Sequence, residues 1–582
     1  MKRFAMMVVS SLVACILAPA VAAWAAEKPA DTPAPPPAFV GQIKVLADKA
    51  PDCSSLASIV ESVTRGCKTN DERAVAVYNF MLLACYHRAY PSEPGGVGAL
   101  KVINTYGWSL CGGLHTVESA LWRQLGWKWR YVGWPGHTTA EAQYDGRWHY
   151  LDTFLKYYTW MPDAAAPGGR TIAGEDDIKA NPALVTDGLV FDKARKVYYH
   201  KGNVFEVVGG KANWTAPAFL VCGDEPDGIV QGTSRKNNAG SPTGWAGIKF
   251  DDPAYSADVN LGPGYALTLL WNPIEGAHWF NGRKDVPTHT CGDKDYRNSP
   301  EIGPIMEPYA AQNRARSFSS GTLVFAPDFS GDACLGSLAA RENVKVDAGR
   351  LVPADGGKPA SVTVLMQSPY VMSRASGAAE GAEKAEISTD GGRTFAAIDL
   401  KDFSDAVGGK YHALVRLTFS QALKSLRLET IIQHNRGALP YLSPGRNTIT
   451  VSAADAKALG DNRLVITYAW CPGSRGKSYE EVSQAGAEIA RTHYAAWADK
   501  PCAVQKTFAA KDLPATFTID VPTPKNRQPV FPRMVLLRRE VLPSGAKPLP
   551  LPDGAVEPKM GPDEELKTLP NPLMTGIGKP GA

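Results

Sequence analysis

"YGWSLCGGLHTVESALWRQLGWKWRYVGW", residues 106–134, decides how this chain reads. It sets one cysteine, Cys111, immediately before a helical repeat. Leu114, Val117, Leu121 and Leu125 recur every three or four residues, as on one face of a helix. Gly126 supplies a stop. Cys111 is therefore expected at or just before the first helical turn. "KWRYVGW" (128–134) reads as a strand. The stretch that follows, "GHTTAEAQYDGRWHYLD" (136–152), holds two strand-like runs around Asp145-Gly146, the strongest short hairpin signal.

A two-residue turn at Asp145-Gly146 pairs Tyr144 with Arg147 and makes the numbers of paired residues sum to 291. His137 then faces Phe154, and Asp152 faces Thr139. Side chains alternate along a strand, so His137, Thr139 and Asp152 share one face. His137 and Asp152 become diagonal neighbours, roughly 7–8 Å apart at their attachment points, which an imidazole and a carboxylate can bridge. A register slip of one residue would separate them.

The chemistry follows from the residue types. A thiol at neutral pH is mostly protonated. A helix N-terminus and a neighbouring imidazole both favour the thiolate. A carboxylate on the imidazole fixes its tautomer. Cys111, His137 and Asp152 thus read as nucleophile, base and orienter, the set that acyl transfer needs. The plain alternatives are a half-cystine at 111, a core histidine at 137 and a turn aspartate at 152. His115, one turn after Cys111, reads as a packing or rim residue rather than the base. For the oxyanion, the backbone N–H of Cys111 is the first candidate, with a side chain near Tyr106 or Trp108 as the second. Trp108, Trp134 and Trp148 are candidates for a cleft wall, although aromatics this frequent are more often core.

These residues also resemble a family. Cysteine opening a helix, histidine starting a strand and aspartate ending the next, in "LCGGLHTVESALWRQLGWKWRYVGW", "GHTTAEAQYDGRW" and "HYLD", are similar to the transglutaminase-like superfamily of papain-fold enzymes. The preceding "DERAVAVYNFML" and "CYHRAY" also fit the family's start. The resemblance covers about residues 60–160. It implies a papain-like domain in which Cys111, His137 and Asp152 form the catalytic triad.

The rest of the chain sets the context. At 582 residues it exceeds one domain. A net charge of +4 and the lack of a basic stripe with interleaved aromatics give no reason to expect nucleic acid. Residues 1–26 read as a secretory signal peptide, with Lys2 and Arg3, an apolar run, and Ala23-Trp24-Ala25 at the cleavage site. The apolar residues after Cys15 argue against lipoprotein processing there. No later run is long enough to cross a bilayer. The expected location is outside the cell, in the periplasm or at the cell surface.

Ten cysteines in an exporting context favour bridges. Losing Cys15 leaves an odd number, so up to four disulfides are expected, with Cys53–Cys67 and Cys471–Cys502 as local candidates and Cys111 as the thiol left over.

The domain reading is α+β. It places a Pro-rich linker at 27–39 and a transglutaminase-like domain at 40–215. β-rich modules follow at 216–345, 346–455 and 456–541, two or three of them β-sandwich-like, and then a disordered Pro-rich tail at 542–582. Thr69 with Glu72 reads as a capping box opening a core helix. "GYALTLLWN", "GTLVFAP", "SVTVLM", "ALVRLTF", "NTITVSA", "RLVITYAW" and "ATFTIDV" read as strands, and residues 480–498 as a helix or insertion.

"STDGGRTF" (388–395) resembles an Asp-box, a turn-stabilising hairpin motif. "HTC" at 289–291, with Asp293, reads as a disulfide plus a surface histidine rather than a metal site. Asn213-Trp214-Thr215 matches a glycosylation sequon.

The expectation is an exported cysteine enzyme acting on amide bonds, with hydrolysis ahead of transamidation. It needs no metal or organic cofactor. Its partner is a protein or peptide substrate, which includes cell-wall or glycan-linked peptides. The competing reading is a non-catalytic surface or carbohydrate-binding protein.

Overall fold

The computed structural model describes residues 36, 38–87, 90–134, 137–153, 158–181, 183–186, 189–192, 197–200, 235–236, 244–245, 247–274, 276–277, 279, 318–476 and 495–574. The chain is mixed α+β, with 19% of residues helical and 39% in strands. The signal segment, the sequon, the 289–293 cluster and most of the 480–498 segment lie outside the described residues; Ala495–Trp497 is a short strand.

Three helices build the part that carries Cys111. α1 (Leu56–Val63) is capped by Ser55. α2 (Asn70–Ala84) opens on the expected capping box, with the Thr69 hydroxyl accepting from the Glu72 N–H. α2 is apolar on nearly every side and is accordingly buried nearly all round. α3 (Cys111–Gln124) begins at Cys111 itself and is buried from Gly112 to Trp122.

Beside α3 lies an antiparallel sheet of β1 (Lys128–Trp134), β2 (His137–Tyr144) and β3 (Arg147–Tyr150), with Arg235–Lys236 on its outer edge. Asp145 and Gly146 both have positive φ, 49° and 78°, as a tight type I′ hairpin turn requires. The register is the expected one, from Tyr144↔Arg147 to Glu141↔Tyr150.

The β-rich remainder is arranged differently from the expected row of modules. In chain order its main strands are β4 (Tyr265–Leu270), β5 (Phe318–Phe325), β6 (Ala360–Gln367), β7 (Val371–Glu380), β8 (Lys384–Ser388), β9 (His412–Phe419), β10 (Ser425–Asn435), β11 (Arg463–Cys471), β12 (Cys502–Phe508) and β13 (Arg533–Leu542). Seven of them form one antiparallel sheet in the order β7-β10-β5-β4-β13-β11-β12. Strands from all three segments expected as separate modules thus share one sheet, and the expected boundaries near 345 and 455 fall between its strands. β6, β9 and β8 belong to a five-stranded sheet.

The N-terminal part is stitched into this frame. Lys44–Ala47 pairs with Gly445–Ser452, which in turn pairs with Ala515–Val521. A contiguous apolar core runs from Phe39 to Leu573.

Two expectations need correction. Residues 542–574 are not a disordered tail. Glu564-Glu565 pairs with Thr523-Pro524, and buried Leu573 accepts from the Asn79 amide of α2 at 2.8 Å. Arg538 donates to the carbonyls of Leu549 and Pro550. Such bonds can hold a Pro-rich strand that has few bonding groups of its own.

The expected bridges are also not formed: Cys53, Cys67, Cys85, Cys111, Cys334, Cys471 and Cys502 are free thiols. Cys53 is buried near Cys85, whereas Cys67 sits half-buried near Glu72 and Arg73. Cys502 lies opposite Trp470, so the adjacent Cys471 projects to the other face of the sheet. Cys15, Cys222 and Cys291 lie outside the described residues. Among the described residues no helix is long and apolar enough to cross a membrane.

Candidate active site

Cys111 is the first residue of α3. Leu110 precedes it in extended conformation and makes no side-chain cap. The first N–H groups of a helix lack intrahelical partners, so this end carries partial positive charge at the sulfur. The indole of Trp245 lies against the next residue: a Cβ built on Gly112 would come within 2.5 Å of it. Any side chain there would have to push the ring aside. Trp245 is 39% exposed and is one of the few large hydrophobics presented to solvent among the described residues. Its backbone N–H donates to Thr116 Oγ1, which also bonds the Tyr131 hydroxyl at 2.6 Å.

His137 is the first residue of β2, buried with its ring toward Asp152. Its Nε2 is 2.6 Å from Asp152 Oδ2. The Cys111 thiol lies close enough to this ring and to the Thr138 backbone for both to lower its pKa. With Nε2 engaged by the carboxylate, Nδ1 is the ring nitrogen left for the thiol. Asp152 is fully buried, and the Tyr150 hydroxyl donates to its Oδ2 at 3.0 Å. The three residues singled out in the sequence are therefore brought together.

The electrostatics agree with that geometry. Burial pushes the Cys111 thiol up, but the His137 bond and charge, the Thr138 backbone and the His115 charge outweigh it, and the net direction is down. Burial disfavours charged His137, yet Asp152 and Cys111 raise it to about 9. Burial also opposes ionised Asp152, but the two histidines hold it well below the usual carboxylate range. The combination favours a thiolate–imidazolium pair beside a carboxylate.

His115 was expected as a packing or rim residue, and of these two places it takes the buried one. It is fully buried, with Nδ1 3.0 Å from Glu118 Oε2 and Nε2 3.4 Å from Asp152 Oδ1. Its ring centre is 6.2 Å from that of His137. The signal in the sequence was the spacing of Cys111, His115 and Glu118, four and then three residues apart, which lines one face of a helix.

Other candidates are also sorted. The Tyr106 hydroxyl donates to Glu93 at 2.7 Å, outside the triad. Trp108 is buried, edge-on to Tyr106 and Phe318. Trp148 is covered by the Arg130 guanidinium at 4.2 Å. The side chain of Trp134 lies outside the described structure. Trp245, which the sequence did not single out, packs against Gly112, the residue after Cys111, and is partly exposed there.

His115, His137 and Asp152 each offer one ligand atom within 4.8 Å of the others. Two ligands of one tetrahedral zinc stand about 3.3 Å apart, from bond lengths near 2.0–2.1 Å. The 2.6 Å between His137 Nε2 and Asp152 Oδ2 is shorter and is that of a charge-assisted hydrogen bond. The residues as they stand fit proton chemistry rather than a metal.

Outside this site, the Asp-box loop forms a tight turn. Asp390 accepts from the Ser388 hydroxyl and from the backbone and hydroxyl of Thr394. All of its bonds serve the turn, and none presents a catalytic group. Comparison with protein-family models, with curated proteins and with solved structures finds no match to this chain.

Proposed function

We propose that the chain is an exported cysteine enzyme of the transglutaminase-like type, performing thiol-mediated acyl transfer on amide bonds of a protein or peptide. The observation that carries this reading is the buried His137–Asp152 bond, with the Cys111 thiol at the start of α3 within electrostatic reach of the same imidazole. The Cys111 thiolate attacks the amide carbonyl as the S–C bond forms. The carbonyl oxygen gains charge facing the N–H groups at the start of α3, where the helix end stabilises it. The C–N bond then breaks, and the imidazolium of His137 gives its proton to the leaving nitrogen. Asp152 holds the ring in place throughout. Water, activated by the now neutral His137, releases the acyl group as an acid; an amine in its place would give a new amide. Hydrolysis is the favoured outcome, on the resemblance to exported members of this superfamily. A papain-like arrangement of α3 against the β1–β3 sheet goes with this reading.

The test is selective labelling. The full-length exported chain is treated with iodoacetamide at pH 6, and the modified cysteines are mapped. Preferential alkylation of Cys111, slowed at least tenfold in His137→Ala, supports the enzyme. Alkylation of Cys111 no faster than that of the half-buried Cys67 and Cys502 overturns it and leaves a non-catalytic binding protein.

A further inference from the structure

We infer that His115, held by Glu118, is a positioning residue of this site, whose ring faces one oxygen of Asp152 at ion-pair distance while the other oxygen bonds His137. The inference rests on the reading of Cys111 as the nucleophile. Asp152 is served on both oxygens. Oδ2 takes His137 and Tyr150, and Oδ1 faces His115.

Glu118 is the second observation. It is fully buried in the middle of α3, and its Oε1 has no hydrogen-bond partner. A buried acid with an unmet oxygen is costly to fold. Its polar contact is to His115, so its evident use is to orient that ring, although burial pushes Glu118 itself up to about 7 and Asp152 is the first of the two acids that keep His115 protonated. The resulting line is Glu118, His115, Asp152, His137, Cys111, alternating acid and base to the sulfur.

The neighbouring groups leave this line as its own main electrostatic environment. From α2, Tyr78 faces Asp152 and Glu118, with Tyr158 beyond it. From β3, Tyr150 faces Asp152. α1 offers only Glu61, which is exposed. Burial opposes a charged His115, and its bonds to Asp152 and Glu118 more than reverse this, to about 10. A protonated His115 lies near enough to favour the thiolate. Removing that cation makes a proton easier to hold on the sulfur, and the reactive form of Cys111 then appears at higher pH.

The experiment measures the rate of Cys111 alkylation by iodoacetamide against pH in the full chain, for wild type, His115→Gln and Glu118→Gln. Glu118→Gln keeps the volume and tests the idea even where His115→Gln fails to fold. The expected result is a rise of the low-pH limb by about half a unit or more in the variants, equal to a threefold or greater loss of rate on that limb. Limbs that coincide with wild type while only the melting temperature falls overturn the inference and leave a structural role. Failure of the underlying reading shows separately, as unselective labelling of Cys111 in wild type.

Discussion

His137 Nε2 and Asp152 Oδ2 stand 2.6 Å apart, joined across one hairpin whose turn lies at Asp145-Gly146. The bond is buried from water. Its strength therefore depends on the charge of Asp152 rather than on the shape of the carboxyl group alone.

Asp152→Asn is accordingly expected to keep the fold and lose the function. The amide is nearly isosteric, but it cannot stabilise an imidazolium. Turnover should fall by roughly 10²–10⁴, as for the orienting carboxylate of other triads. Without an identified substrate, the check is Cys111 alkylation at pH 6, which should drop toward the rate of an ordinary thiol. Alkylation at the wild-type rate would show that the carboxylate is idle.

The same bond gives stability a pH dependence. His137 is raised from 6.5 to about 9 in the folded chain. Its contribution is therefore complete below pH 6.5 and is lost as pH rises through about 9. Asp152 is depressed, so its contribution is present above its ordinary value of 3.8 and is lost as pH falls through its folded value. Melting temperatures of wild type and His137→Gln, measured from pH 6 to pH 10, should differ most at pH 6 and converge above pH 9. A gap independent of pH would mean that His137 stabilises by packing alone.

Trp245 is expected to act on substrate rather than on the thiol. Trp245→Ala removes the exposed ring beside Gly112 while leaving the triad bonds intact. Iodoacetamide, which is small, should alkylate Cys111 at a rate within about twofold of wild type. A chloromethyl ketone with an aromatic side chain should lose roughly three- to tenfold, the worth of one aromatic contact. Equal losses with both reagents would place Trp245 in the support of the helix start instead.

The turn at residues 388–395 allows folding to be separated from reactivity at Cys111. Asp390→Ala deletes the acceptor of the Ser388 and Thr394 hydroxyls and of the Arg393 and Thr394 N–H groups. The melting temperature should fall, with Cys111 labelling unchanged. Coupled loss of both would tie this hairpin to the site.

Much of the site was legible in the sequence because its parts are local. The capping box at Thr69, the helix beginning at Cys111 and the hairpin at Asp145-Gly146 each depend on residues within a few positions of one another. Hairpin register then carried the argument from the turn to His137 and Asp152 without any distant contact. All seven strands that the sequence marked by β-rich composition form. β13 was less legible: "RMVLLRREVL" carries three arginines and a glutamate, and Arg538, Arg539 and Glu540 are buried in it. The Arg538–Glu540 pair, 3.1 Å apart, partners two of those charges along one face of the strand.

What the sequence by itself determined, then, was every feature whose energy comes from neighbours in the chain: caps, turns, the periodic faces and the register of one hairpin. Tertiary structure alone decided the rest. It gathered strands from three segments into one sheet, left the seven described cysteines unbridged, seated residues near Leu573 against α2, and turned His115 inward toward Asp152. Each of these depends on which buried polar group or strand edge meets its partner, tens to hundreds of residues away along the chain. Burial penalises an unmet partner wherever it lies along the chain, so only the folded arrangement can settle the match.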